Sequence, residues 1–271
     1  MLSFCILASG SSGNCSVIWT EKAVVLIDCG CSLKYITEKL LEIGINPQNL
    51  TAAVITHAHI DHIHSSSFNF LCKHNIPVYF HENILNDVRV KYGEKACNAV
   101  SFDRGFNIED ISIEHFEVHH KDSRISKTLG FTFLSEVNGR DYKIGYVTDT
   151  GKICENIVTN LSDSNILVIE SNYDKKMLAE SSRPYENKKW VLSDWGHLAN
   201  EDAAKAIAKI KAVSTAKDSL KYVFLAHISK HHNSPEMALR VARETLNNMN
   251  ISDINLFATK RNARCRAIKI S

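Results

Sequence analysis

Short apolar runs, each closed by a polar or glycine-bearing turn, recur along the chain at Phe4–Ala8, Ser16–Trp19, Ala23–Ile27, Ala52–Thr56, Val78–Phe80, Ile111–His115, Thr128–Leu134, Lys143–Thr148, Ile166–Glu170, Tyr222–Ala226 and Arg266–Ile270. Their length and composition predict β-strands. Between several of them the pattern becomes helical. Ser32–Ile43 carries apolar residues at 33, 36, 40, 41 and 43, and Asn200–Ala212 opens with Asn200 as N-cap ahead of Glu201 and Asp202. Helices are also predicted over 62–74, 82–92 and 235–249, the last started by Ser234 and Pro235. Strands and helices mix over the whole length without a linker or low-complexity segment, so the simplest architecture is one α/β unit.

With 271 residues, of which 44% are hydrophobic and 23% charged, the chain can bury one large core or two fused half-domains over 1–271. A short internal echo points to the second arrangement. Val25–Gly30 and Gly145–Gly151 both run a buried strand into Asp-x-Gly, which would put a seam near residue 140. No segment reaches the roughly 18 apolar residues of a membrane helix, and the first residues lack the basic and apolar parts of a signal peptide, so a cytoplasmic protein with no membrane partner is expected. The eight cysteines form no CxxC pair and read as free, mostly buried thiols, Cys29 and Cys31 included. A net charge of +2 is too mild to announce nucleic acid on its own. The thirteen histidines are the feature that calls for explanation.

Four ligand-type residues fall within His57-Ala-His59-Ile-Asp61-His62, directly after the apolar run Ala52–Thr56. Residues two apart in an extended segment face the same way, so His57 and His59 converge on one point, while Asp61 and His62 address a second. Imidazole and carboxylate suit zinc, manganese or iron. In Phe116–His120, alternation puts His120, rather than His119, on the face of the apolar residues 116 and 118. His64, His74, His81 and His115 have no partners in pattern and are assigned structural roles; His231 and His232 lie just past His227.

The HxHxDH motif at 57–62, followed by His120, the strand-end Asp149 in Val147–Gly151 and His227 in Phe224–His227, resembles the metallo-β-lactamase superfamily. Phe4–Cys15, Glu170–Asp174, Ser193–Asn200, Leu225–Ser229 and Asn233–Glu236 look like its YycJ/WalJ-like exonuclease branch. Two departures from that branch are His119-His120-Lys121-Asp122, in place of one histidine followed by aspartate, and His231-His232. The resemblance implies an α/β fold, a four-layered αβ/βα sandwich with two mixed sheets. It implies two divalent ions, one on His57, His59 and His120, the other on Asp61, His62 and His227, with Asp149 bridging and Asp28 orienting ligands.

Two such ions give a hydroxide nucleophile near neutral pH, so the expected reaction is hydrolysis, with a bridging hydroxide as nucleophile and Asp61 and His197 as the catalytic side chains. His197 in Gly196–Leu198 resembles a late nuclease motif that meets phosphate or protonates the leaving oxygen. The Ser9–Asn14 turn, through Ser11 and Asn14, together with Asn172 and Asn233, is suited to phosphate oxygens. Basic groups at Lys260, Arg261, Arg264, Arg266 and Lys269, and at Lys121, Arg124 and Lys127, would frame a polyanion. The leading reading is a phosphodiesterase acting on DNA as an exonuclease. Its rivals are a small-molecule hydrolase of the same fold, acting on a cyclic phosphodiester or thioester, and a non-catalytic nucleic-acid-binding or regulatory module.

Overall fold

The computed structural model describes residues 1–93, 98–121, 125–216 and 218–270. Arg124 of the expected basic group, and Cys97, lie outside the described residues.

Fourteen strands occur among the described residues: β1 (Leu2–Ala8), β2 (Cys15–Trp19), β3 (Val24–Ile27), β4 (Ala52–Val54), β5 (Val78–His81), β6 (Ala99–Phe102), β7 (Phe106–Ile108), β8 (Ile111–Glu117), β9 (Leu129–Val137), β10 (Arg140–Val147), β11 (Ile166–Glu170), β12 (Tyr222–Ala226), β13 (Asn255–Ala258) and β14 (Ile268–Ile270). They form two seven-stranded sheets, ordered β14-β1-β2-β3-β4-β5-β6 and β13-β12-β11-β10-β9-β8-β7. The chain crosses from the first sheet to the second between Phe102 and Phe106, not near residue 140, which lies in the hairpin joining β9 to β10.

Each sheet is mixed, with the same internal plan. β14, β1, β2 and β3 pair antiparallel, and β3 through β6 run parallel. In the second sheet β7 through β10 pair antiparallel, and β10 through β13 run parallel. Burial follows from this plan. Strands flanked by parallel neighbours and covered on both faces are buried throughout, as in Ile166-Leu-Val-Ile-Glu170 of β11, apolar up to its final carboxylate. β8, near an edge, alternates buried with exposed positions.

The inner faces of the sheets meet in one core, where the Phe4 and Phe224 rings lie 5.8 Å apart, edge to face. Helices Leu33–Leu41, Ser65–Lys73 and Glu82–Tyr92 cover the first sheet through Ile36, Leu40, Phe68, Leu71, Ile84 and Val88. Helices Glu155–Leu161, Asn200–Val213 and Pro235–Asn248 cover the second through Val158, Leu161, Ile207, Ile210, Ala242 and Leu246. The result is the helix–sheet–sheet–helix sandwich expected from the sequence.

Several boundaries move for physical reasons. The predicted helix over 62–74 begins only at Ser65, because residues before it form the turn that carries the site. Asn200 is the first helical residue rather than the N-cap, which is Ala199. Its buried amide is instead used across the fold, accepting from Ser171 Oγ at 2.6 Å and pairing with Asn233. The strands β6, β7 and β13, absent from the sequence reading, all lie at sheet edges, where one side is unpaired and the apolar pattern is weak.

The loop after β3 is sewn to the loop before Ser65. Cys29 N donates to His62 O at 2.9 Å, His64 N donates to Cys29 O at 2.9 Å, and Gly30 N donates to Asn14 O at 2.9 Å. A Cβ on Gly30 would overlap the Asp61 carbonyl. Gly30→Ala should therefore displace residues 61–62 and lower stability by about 3 kcal/mol, a loss read as a lower midpoint in urea unfolding with little change in slope.

Candidate metal centre

The parallel strands deliver the site. β3 is followed by Asp28, β4 by the segment to His57, β10 by Asp149, β11 ends on Glu170, and β12 is followed by His227. Asp28, Asp149 and His227 all take left-handed backbone, with φ of 59°, 54° and 53°. These turns end the ladders at one edge of the sandwich and direct polar side chains into a region the sheets otherwise keep apolar.

Ligand-type atoms fall into two triads, His57/His59/His120 and Asp61/His62/His227, each with its atoms mutually within 4.8 Å. Asp149 stands between them: it groups with His57 and His62 on one side, and with Glu170, His197 and His227 on another. Its Oδ2 is 3.2 Å from His62 Nε2 and its Oδ1 is 3.5 Å from His227 Nδ1. Asp61 Oδ2 lies 3.7 Å from His62 Nε2 and 3.8 Å from His227 Nε2. Of the neighbouring pair, His120 enters the first triad, whereas His119 stacks its ring 5.3 Å from Trp195.

Four of the five triad rings are held at Nδ1. His62 Nδ1 meets Asp28 Oδ2 at 2.7 Å, His120 Nδ1 meets Gly196 O at 3.0 Å, His227 Nδ1 meets Glu170 Oε1 at 2.7 Å, and His57 Nδ1 lies 3.1 Å from Thr56 Oγ1. Fixing one nitrogen fixes both tautomer and ring direction, the arrangement that orients metal ligands. Asp28 is itself locked, accepting from Thr56 N at 2.8 Å and Thr56 Oγ1 at 3.1 Å.

Burial and charge set the protonation states. Burial, with His62 nearby, holds the pKa of His57 well below the usual imidazole range and that of His59 at about 4, and burial lowers His120 as well. These three are neutral and able to donate a lone pair. At His62 burial also opposes charge, but Asp28, Asp149 and Asp61 outweigh it and raise the pKa well above its ordinary value. Burial likewise raises the pKa of Asp28, against the charge of His62 and the hydrogen bonds from Thr56. Burial alone would raise Asp61, yet His62 and His227 bring it to about 2; the same histidines, led by His227, lower Asp149.

A divalent cation fits this set. Buried Asp149 Oδ2 and His227 Nε2 make no hydrogen bond of sound geometry, although both face other ligand-type atoms. Two carboxylates, Asp61 and Asp149, and five histidines, His57, His59, His62, His120 and His227, match the hard and borderline donors that zinc, manganese and iron accept. An open cavity of about 430 Å³, lined by Ala58, His59, Ile60, Asp61, Asp87, Val90 and Lys91, adjoins the triads.

Other residues singled out in the sequence divide clearly. Asn14 is fully buried, with its amide 3.0 Å from His62 Nε2 and 3.4 Å from Asp61 Oδ2, so it braces ligands from beneath. Asn233 spends its amide on Ser171 O, Asn172 O and Asn200, leaving no donor for a phosphate. Asn172 Nδ2 donates to His227 O at 2.7 Å. Ser11 is exposed on the turn, whose Ser9 Oγ accepts from His227 N at 2.7 Å. Arg261 reaches the same turn through Ser12 Oγ at 2.9 Å, whereas Arg264 is tied to Glu42 and Lys127 to Glu117. His64 and His81 accept from backbone N–H groups at helix starts, and His74 and His115 pack on aromatic rings.

The sequence reading gave Glu170 no role. It is fully buried and accepts from both His197 Nδ1 (2.8 Å) and His227 Nδ1 (2.7 Å), while its second oxygen accepts from Thr150 N at 2.8 Å. Burial opposes its charge, but His197 and His227 lower its pKa. The available signal was an all-apolar strand ending on a carboxylate, the same pattern that marked Asp28.

The β-lactamase superfamily domain matches residues 24–220. Exodeoxyribonuclease YycJ of Bacillus anthracis is 31% identical over 242 residues, covering 88% of this chain and 86% of its own. Exodeoxyribonuclease WalJ of Streptococcus pneumoniae is 33% identical over 240 residues, covering 87% and 84%. The crystal structure of YhfI, a metallo-β-lactamase-fold protein of Bacillus subtilis, superposes with a TM-score of 0.69 at 12% identity, covering 97% of this chain and 98% of that one. The chain belongs to the metallo-β-lactamase superfamily. Its class is that of the metal-dependent hydrolases, and within it the chain groups with the YycJ/WalJ relatives.

Asp28→Asn tests the tautomer argument. An amide facing His62 Nδ1 would push the ring proton to Nε2, the atom turned toward Asp61 and Asp149. Divalent-ion affinity should fall about 10–100-fold in calorimetric titration with manganese or zinc, with the far-UV circular dichroism spectrum unchanged.

Proposed function

We propose that the protein is a dinuclear metal-dependent phosphodiesterase that digests DNA from an end, acting as one domain over residues 1–271. The observation that carries this reading is the pair of triads joined by Asp149, backed by His197 on a buried carboxylate. The YycJ and WalJ relatives, named exodeoxyribonucleases and matched over most of both chains, support DNA as the substrate.

In this reading His57, His59 and His120 would hold one ion and Asp61, His62 and His227 the other, with Asp149 grouped with members of both triads. The bound ions supply activated water and neutralise charge developing on the phosphorus oxygens. Asp28, Thr56, Asn14 and Glu170 keep the ligand rings in their productive tautomers. The ring of His197 stands 5.3 Å from that of His120 and 5.2 Å from that of His227, so it borders both triads. Glu170 accepts from Nδ1–H of His197 and so fixes the direction of the ring; a second proton, on Nε2, would be the one that meets a phosphate oxygen or passes to the leaving oxygen. Ser11 and Asn172 flank the same region.

Purified protein supplied with manganese or zinc should shorten end-labelled duplex DNA progressively, and a chelator should abolish the activity. Hydrolysis confined to small esters would overturn the nuclease reading, and two bound ions with no hydrolysis at all would favour a binding module. His197→Ala should keep about two equivalents of metal while turnover falls roughly 100-fold or more. Metal loss in that variant would make His197 a ligand.

A further inference from the structure

Beside the triads, helix Tyr185–Val191 and the turn after it present large apolar side chains to solvent. Trp190 is 37% exposed, Trp195 48% and Leu192 56%. This ledge is held by its own backbone. Ser193 Oγ donates to Trp190 O at 2.7 Å, Gly196 N to Ser193 O at 3.0 Å, and His197 N to Val191 O at 3.1 Å. A Cβ on Gly196 would overlap the carbonyls of Trp190 and Val191, so the turn closes this tightly only with glycine there. Lys121 N also donates to Trp195 O, joining the ledge to the segment that carries His120.

The ledge continues the site. The Trp190 ring is 5.8 Å from that of His120 and 5.4 Å from that of His197, and the Trp195 ring is 5.3 Å from that of His119. Its surroundings are basic. Arg183, Lys188 and Lys189 lie on or next to the helix and Lys121 beside Trp195, against two acidic groups, Glu186 on the first turn of the helix and Asp194, which is paired with Lys152 at 2.9 Å. Flat aromatic faces among cations are how sequence-tolerant sites hold unpaired bases, and a base paired inside a duplex offers no free face to them.

Resting on the phosphodiesterase reading above, we propose that Trp190 and Trp195 stack unpaired nucleobases of the strand being cut, so that the site engages a single-stranded or frayed end. Trp190 borders His120 and His197 directly, which puts its base next to the scissile phosphate. Trp195, further out over His119, takes a base beyond it.

The test reads tryptophan fluorescence of the metal-loaded protein titrated with a short oligothymidylate whose phosphorothioate backbone resists cleavage. The third tryptophan, Trp19, is only 7% exposed, so quenching reports the ledge. The oligothymidylate should quench strongly and a blunt hairpin duplex weakly. Trp195→Ala should weaken oligothymidylate binding roughly tenfold, Trp195→Phe should restore most of it, and the loss in DNA digestion by Trp195→Ala should fall on KM rather than kcat. Equal quenching by the blunt hairpin, or unchanged affinity in Trp195→Ala, would overturn the proposal. If DNA is digested with a wild-type KM by Trp195→Ala, the ledge fails and the phosphodiesterase reading stands. If the oligothymidylate binds through Trp195 but no DNA is hydrolysed, the phosphodiesterase reading fails and the stacking surface stands.

Discussion

The centre depends on bonds between buried carboxylates and imidazole Nδ1 atoms. Asp28 holds His62 and Glu170 holds both His227 and His197, each at 2.7–2.8 Å and each away from solvent. Without those acceptors the rings would be free to turn and to exchange tautomers, and the triads would lose the fixed lone pairs that define them. The carboxylates are in turn held from behind, Asp28 by Thr56 and Glu170 by the amides of Thr150 and Leu198. Ligand geometry is thus referred back through two layers of hydrogen bonds to the strand ends.

Those strand ends explain why the site lies where it does. Asp28 follows β3 and Asp149 follows β10, and these are the corresponding strands of the two sheets, each where antiparallel pairing gives way to parallel. The Asp-x-Gly echo at 28–30 and 149–151 therefore marks equivalent corners. Left-handed backbone at Asp28, Asp149 and His227 disfavours the folded state by roughly 1–2 kcal/mol each, a conformation that aspartate and histidine adopt more readily than most non-glycine residues. Gathering carboxylates and imidazoles in one apolar corner adds a desolvation cost, which their mutual hydrogen bonds and opposite charges offset.

Much of this was legible in the sequence, for reasons that differ by element. Central strands such as β3, β11 and β12 are apolar on both faces and short, and the pattern finds them; β6, β7 and β13 have a free edge and little pattern to find. The HxHxDH cluster is legible because its ligands are adjacent in the chain. Asn233 looked like a phosphate contact because its position after the His227 strand is visible, whereas its hydrogen bonds to Ser171, Asn172 and Asn200 come from segments dozens of residues away. Glu170 escaped for the converse reason: its partners His197 and His227 are remote in sequence, and only the fold joins them.

The closing strand gives the molecule an order in time. Leu2 pairs with Ile270 and Phe4 with Ile268, so the outer edge of β1 is covered by a strand that follows all the other described strands in the chain. His227 too lies in the final sixth of the chain, and its backbone is anchored to Ser9 near the beginning. During synthesis the early sheet must wait with one edge unpaired, an exposure that favours wrong pairing until the end arrives. A fragment that stops short of His227 lacks part of the centre. Segments far apart in the chain thus meet at one corner, where Ser9 anchors the backbone of His227.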